Sequence, residues 1–494
     1  MTEPKGGILA NALSYLAGQG AMATFGLVSS IVLARYLPKD VFGEYSYLLA
    51  LAIIFMPFID MGGHTLYTVL GARDRSRIGV SWARAIAVKL WSLPLMVVLM
   101  AGYFLYSTGH TGILFVLTFL YTLAQSLLWS TDVAFRPAEL GRAWAVRRVV
   151  YESSSFLLIC AALVIFHVQN VTTLLSLATV AVFVAVIWSI FTVVRLTGLT
   201  RTQFAEAIRK PFDREEIRAL WPFALNTVLW VFYLRETNLF LQNFGHHPEA
   251  ELADFRVIFV IMTSICYMPR AIIWASVPRI AFHDEQENRE EFRTLVRQFS
   301  GVNTWLAAIF TLGGLLYGER LIGLVYGHKY AHLGLAWTLF DLVLGLTLIQ
   351  QFCTDLLNGI RMERQVVRGL LAGITILTIS SVFLIPAYGT VGAGVAQLLA
   401  CIVMVPTNLY ALAKRVGVEN LHGVKLIRLA AACAISAAVG YGLLQVNFYL
   451  SLVVFLVTVA GSSYLLGALP EHFDDFVVRV SGKLRQAWLP GPAP

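Results

Sequence analysis

LANALSYLAGQGAMATFGLVSSIVLARYLPKDVFGEYSYLLALAIIFMPFIDMGGHTLYTVLGARDR, residues 9–75, holds two apolar runs of membrane-crossing length, parted by a short polar turn and closed by a basic loop. The first run continues past Ala34 with no clear cleavage site before it, and only Lys5 precedes it, so it is expected to be a span and not a cleaved signal. The same pattern recurs to about Leu466. Hydrophobic residues make up 58% of the chain and charged residues 13%, with a mean hydropathy of +0.71. A water-soluble domain with so few charges has nothing to cover its surface, so lipid is the solvent for most of this chain.

The pattern predicts an all-α polytopic membrane protein of about fourteen spans. They fall near 11–36, 41–70, 82–106, 111–134, 149–168, 171–195, 219–244, 252–279, 294–317, 331–358, 367–386, 390–413, 425–445 and 449–468. The polar segments between them alternate. One set is basic: 71–77, 135–148, 195–218, 283–298, 361–368, 413–428 and the tail with Arg479, Lys483 and Arg485. Of the 37 Lys and Arg, only Lys39, Arg320 and Lys329 lie in the opposite loops. This asymmetry is the positive-inside pattern and places both termini in the cytoplasm. It also assigns the net charge of +8 to topology and lipid headgroups, not to nucleic acid.

The longest cytoplasmic segment contains Pro211 and reads as an amphipathic linker. The expected organisation is a bundle over 1–196, a linker over 197–218, a bundle over 219–416, an additional helix pair over 417–468 and a cytoplasmic tail over 469–494. The turns after spans one and seven are loosely alike, a weak internal repeat of the kind transporters carry.

A charge at the bilayer centre costs at least about 2.5–3.5 kcal/mol, so intramembrane charges mark wet cavities, partners or headgroups. Arg256, Val260, Thr263, Tyr267, Arg270 and Trp274 follow helical spacing in span eight and form one stripe, with its two arginines about 21 Å apart along the axis. In span seven Arg235, Asn238 and Gln242 share a face; in span four Tyr121, Gln125 and Asp132 do; in span ten Asp341, Gly345, Leu348, Phe352 and Asp355 do. Asp60 follows Pro57 and precedes Gly62-Gly63-His64, a place for the helix to bend. Arginine suits an anionic substrate because its fork meets phosphate oxygens in pairs and stays charged. Arg35 and Lys89 lie close enough to opposite surfaces to snorkel. The candidate substrate site is therefore Arg235, Arg270, Arg256, Asn238, Gln242, Tyr267, Arg35 and Gln125. Asp60, Asp132, Asp341 and Asp355 are candidates for coupling to a proton or sodium ion.

No GxxxxGK[ST] loop, HExxH, GxSxG or Cys/His ligand set occurs, so no ATPase, hydrolase, cofactor or metal site is expected on this chain. Five cysteines inside apolar runs lack paired spacing and read as small packing residues. The outer loops are too short to hold a catalytic domain.

The stretch 9–75, with a first helix ending ARYLP, FGEYSY opening the second, Asp60 beside Gly62-Gly63 and a basic loop, resembles the start of the polysaccharide-biosynthesis flippases. These belong to the multidrug/oligosaccharidyl-lipid/polysaccharide exporter superfamily. Residues 356–400, with a polar turn before a helix and PAYGTVGAG after it, resemble that family's eleventh and twelfth spans. The resemblance implies two six-helix bundles about a central cavity, plus two C-terminal helices. It implies alternating access that moves an undecaprenyl-diphosphate-linked oligosaccharide across the bacterial inner membrane for O-antigen or exopolysaccharide synthesis. Arginines would hold the diphosphate, and Tyr121, Trp129, Tyr233, Tyr267 and Trp274 would stack on sugars. The expected partners are the lipid-linked oligosaccharide, membrane lipids, a glycan polymerase and a chain-length regulator. The alternatives are a cation-coupled multidrug antiporter or lipid II flippase of the same superfamily, or a non-transporting scaffold for glycan assembly.

Overall fold

A chain that must satisfy every backbone amide without water can cross lipid only as helix or closed barrel, and the computed structural model is helical. It describes residues 8–107, 112–138, 140–285, 289–360, 362–421 and 424–470, with side chains from residue 14 onward except at 268 and 271–285. The helices are α1 (Ile8–Tyr36), α2 (Lys39–Asp60), α3 (Gly63–Arg73), α4 (Ile78–Ser107), α5 (Ile113–Ser130), α6 (Asp132–Phe135), α7 (Gly141–Cys160) and α8 (Val171–Thr197). They continue as α9 (Arg201–Arg209), α10 (Arg214–Phe244), α11 (Pro248–Glu285), α12 (Arg289–Tyr326), α13 (Gly334–Gly359), α14 (Glu363–Val416), α15 (Leu426–Leu444) and α16 (Phe448–Leu465). The basic tail residues Arg479, Lys483 and Arg485, Lys5 and the side chain of Trp274 lie outside the described set.

Twelve helices among the described residues are long and apolar enough to cross a membrane. One of these, α14, is two helices joined at Gly389, whose φ of 54° and ψ of −130° interrupt the helix. The 38 residues of α11 are also more than a bilayer core requires. Each expected span thus has its helix, and the chain is a multi-pass membrane protein. Large apolar side chains face outward, such as Val98 and Ile187, each 68% exposed, and Phe383. That is tolerable only where the surroundings are as apolar as they are.

Several boundaries differ from expectation, and two of the differences have a visible cause. Span two breaks at Met61 and Gly62, both left-handed with φ of 43° and 76°. Pro57 sits in the last turn of α2, and its carbonyl accepts the Met61 N–H at 2.8 Å, closing the helix. Gly62 is also pressed against α10, where a Cβ would meet Ala224 N at 2.5 Å and Leu220 O at 2.8 Å; both demands select glycine. Span five starts at Gly141 and not at 149, because Arg147 turns inward and is paired.

The chain forms two compact units. The first is Met1–Ala271, Ile322–Ala336 and Leu370–Ala400; the second is Ile272–Leu321, Trp337–Gly369 and Cys401–Pro494. In the first, α1 lies along α7, α5 against α8, and α10 against α2. At one end α9 caps the unit. Thr200 and Gln203 make its capping box, Phe204 packs on Trp82 with ring centroids 5.7 Å apart, and Arg84 donates to the Ala207 and Lys210 carbonyls at 3.0 and 2.6 Å. At the α1–α2 turn, Lys39 pairs with Asp254 at 2.8 Å, His332 reaches the same carboxylate at 3.0 Å, and Lys329 donates to the Leu37 carbonyl at 2.8 Å.

In the second unit small residues let helices touch, since lipid removes the hydrophobic drive between them. Trp337 donates to the Gly314 carbonyl at 2.8 Å. Ser451 bridges Tyr317 at 2.8 Å and the Gly440 carbonyl at 2.6 Å, tying α16 to α12 and α15.

Candidate functional site

The first unit gathers several arginines in one interior neighbourhood. Arg256 on α11 is half-buried. It is within electrostatic reach of Tyr45 on α2, Tyr121 on α5, Glu152 on α7, Arg235 on α10 and Tyr326 at the end of α12. Tyr267, nearly three turns along α11, is within reach of Arg148, Arg235, Arg270 and Glu152. Helices α2, α5, α7, α10 and α11 therefore converge on a common set of side chains.

Among the described residues, Arg148, Arg235 and Arg256 make no ion pair with a carboxylate. The Arg235 guanidinium lies 4.4 Å from the ring centroid of Phe259, and Arg148 lies 5.4 Å from that of Trp144. These cation–π contacts hold the groups in place and leave their N–H forks open. Beside them is a wall of hydroxyls: Gln125 donates to Tyr121 Oη at 2.9 Å and to Tyr151 Oη at 2.8 Å, and the two hydroxyls lie 3.1 Å apart. Forked cations beside aromatic hydroxyls can bind an anion and the saccharide attached to it.

Of the residues expected at a substrate site, Arg235, Arg256, Arg270, Tyr267 and Gln125 belong to this neighbourhood. Asn238 is buried and donates to the Arg235 carbonyl at 3.2 Å; Gln242 is half-buried one turn further along α10. Arg35 lies elsewhere, donating to the Leu324 and Val325 carbonyls at 2.6 and 2.7 Å and so capping the end of α12. Trp129 faces His64, with ring centroids 6.1 Å apart, and Tyr233 is buried near Trp230.

The aspartates divide. Asp60 pairs with Lys89, which also donates to Ser126 at 2.9 Å. Asp132 opens the short turn α6 and pairs with Arg147 at 2.6 Å, with Arg136 at 3.3 Å and His64 at 3.8 Å nearby. Both are ion-paired inside the first unit. Asp341, in the second unit, is fully buried against Gly314, and neither carboxylate oxygen has a hydrogen-bond partner among the described residues. Asp355 is half-buried on the same helix.

Tyr45, Arg148, Tyr151 and Glu152 were not foreseen. Arg148 was counted in a basic loop, which hid the fact that Arg148, Tyr151 and Glu152 stand at i, i+3 and i+4 on one helix face. That spacing was the available signal. Glu236, adjacent to Arg235, faces a different way and accepts from Thr378 at 3.1 Å.

The family described as polysaccharide biosynthesis protein matches residues 8–282. The curated proteins contain no sequence match to this chain. Among solved structures, the chain is similar to an inward-facing multidrug resistance MATE family transporter of the MOP superfamily, with a TM-score of 0.63 and 12% identity over 82% of this chain and 98% of that one. It is similar to the lipid II flippase MurJ in an inward closed conformation, with a TM-score of 0.64 and 10% identity over 92% and 98%. It is also similar to the eukaryotic MATE transporter AtDTX14, with a TM-score of 0.56 and 14% identity over 82% and 94%. At these identities the structures establish a shared fold, and the sequence match over more than half of the chain establishes kinship: this protein belongs to the polysaccharide biosynthesis protein family.

Proposed function

We propose that the chain is a flippase that carries an undecaprenyl-diphosphate-linked oligosaccharide from the inner to the outer leaflet of a bacterial cytoplasmic membrane by alternating access. The observation that carries the reading is the convergence of Arg148, Arg235 and Arg256 without carboxylate partners among the described residues. Each such cation costs at least about 2.5–3.5 kcal/mol in the bilayer, so a chain that keeps three together has a use for an anion there. A diphosphate supplies paired oxygens for the forks. The Tyr121–Gln125–Tyr151 cluster offers hydroxyls to a sugar, and the prenyl tail stays in lipid. Family membership points to the same class of substrate. Direction comes from a proton or sodium gradient or from the substrate gradient itself, and a glycan polymerase and chain-length regulator are the natural neighbours at the outer face.

A drug antiporter of the same fold would present acids to cationic drugs. Here Arg148, Arg235 and Arg256 make no ion pair with an acid among the described residues, which favours the anionic lipid.

The test is Arg235→Ala and Arg256→Ala in a strain lacking the natural chain, at equal protein level. Surface glycan is expected to fall about ten-fold or more, as loss of a buried charge-assisted contact of about 1.5–3 kcal/mol predicts, with the lipid-linked intermediate accumulating. Unchanged glycan in both variants would overturn the reading.

A further inference from the structure

Glu152 stands 11 residues into α7, about 16 Å along the axis from its start. It is half-buried, and no ion pair or hydrogen bond engages its carboxyl among the described residues. Yet Arg148, one turn away on α7, and Arg256 on α11 both act on it. An acid near two arginines and ion-paired with neither leaves both guanidinium forks without a carboxylate among the described residues.

The charged and titratable groups around it come from each neighbouring element. Helix α7 brings Arg148 and Tyr151, α5 brings Tyr121, and α11 brings Arg256 and Tyr267. Helix α1, which packs along α7, carries no charged residue before Arg35, and the only charge on α8 is Arg195 at its far end. The short turn α6 contributes Asp132, already paired with Arg147. Among the described residues no carboxylate pairs with Arg148, Arg235 or Arg256, and Glu152 is an acid within electrostatic reach of Arg148 and Arg256.

We propose that Glu152 is the resident counter-charge of the arginine cluster, and that it is protonated when a diphosphate headgroup binds beside it. The inference rests on the flippase reading of the same site. A diphosphate brings two or more negative charges to guanidinium groups that Glu152 shares. Like charges a few ångströms apart in a low dielectric disfavour ionisation of the weaker acid. The carboxyl therefore takes up a proton as the headgroup binds and returns it as the headgroup leaves, which links substrate occupancy to proton movement at one side chain.

The experiment uses the full chain in lipid nanodiscs with farnesyl diphosphate as probe. Calorimetry runs from pH 6 to 8 in buffers of different ionisation enthalpy. The wild type is expected to take up about one proton per bound probe beyond the probe's own contribution, and to bind more weakly as pH rises. Glu152→Gln is expected to lose that extra proton, to flatten the pH profile, and to bind about five-fold or more tightly, because a like charge is gone. Glu152→Ala reads the same way if Gln packs poorly, and Glu152→Asp is expected to restore proton uptake. Proton uptake unchanged in Glu152→Gln and Glu152→Ala, or weaker binding in both, would overturn the counter-charge role while leaving the arginine site standing. Wild-type binding no tighter than that of Arg256→Gln would overturn the site and the counter-charge together.

Discussion

A buried charge pair and an unpaired buried charge have opposite consequences, and both kinds occur in the first unit. Lys89 and Asp60 are each nearly inaccessible and satisfy one another, with Ser126 as a further partner. Removing one partner strands the other, at a cost of about 3–5 kcal/mol, whereas replacing both with neutral groups is far less damaging. Lys89→Met is therefore expected to lower the thermal midpoint in detergent sharply. Adding Asp60→Asn is expected to recover most of the loss; a double variant no more stable than the single one would exclude the pair as the cause. The arginine cluster behaves differently: Arg235 and Arg256 make no ion pair among the described residues, and Glu152 acts on Arg256 without touching it. Their truncation is expected to leave the midpoint unchanged or raised while removing anion binding, since desolvated cations without an ion pair destabilise a fold.

At the scale of elements, glycine decides where helices meet. Gly43, in the FGEYSY turn of α2, packs so closely on the start of α11 that a Cβ would strike the Glu249 carbonyl. Backbone cannot swing aside as a side chain can, so Gly43→Ala is expected to cost about 1–3 kcal/mol. Gly102→Ala, with nothing within 4 Å, is the neutral control. Thermal unfolding of the two variants side by side checks this, and equal midpoints would overturn it. Gly389 joins the two halves of α14 at a positive φ, and Gly389→Ala is expected to lower stability by about 1–3 kcal/mol because a Cβ is strained in that conformation. The spans themselves were legible because lipid demands about 20 apolar residues per crossing. A bend near Asp60 was legible from Pro57 and Gly62-Gly63, but the full break into α2 and α3 was not. The true start of α7 was not, because RAWAVRR reads as loop until Asp132 is seen to receive Arg147.

For the whole molecule, the alternation of basic and uncharged loops predicts the orientation. A membrane-impermeant thiol reagent tests it in a background whose five cysteines are replaced. Gln169→Cys, in an exposed loop, is expected to react in intact cells, and Arg77→Cys, exposed in a basic loop, only after the membrane is opened. The reverse pattern would invert the topology and the direction of transport.

Amino-acid order alone was enough to specify a multi-pass helical chain, its crossings and its family, because hydropathy and loop charge act locally along the chain. It also marked Arg235, Arg256, Arg270, Tyr267 and Gln125, since each is expensive in lipid wherever it lies. Which expensive groups cancel one another depends on helices far apart in sequence. Folding brings Asp60 to Lys89, Asp132 to Arg147 and Arg35 to the end of α12, and leaves Arg148, Arg235 and Arg256 gathered around Glu152. Charge compensation acts through space at a few ångströms, so it could not be read along the chain.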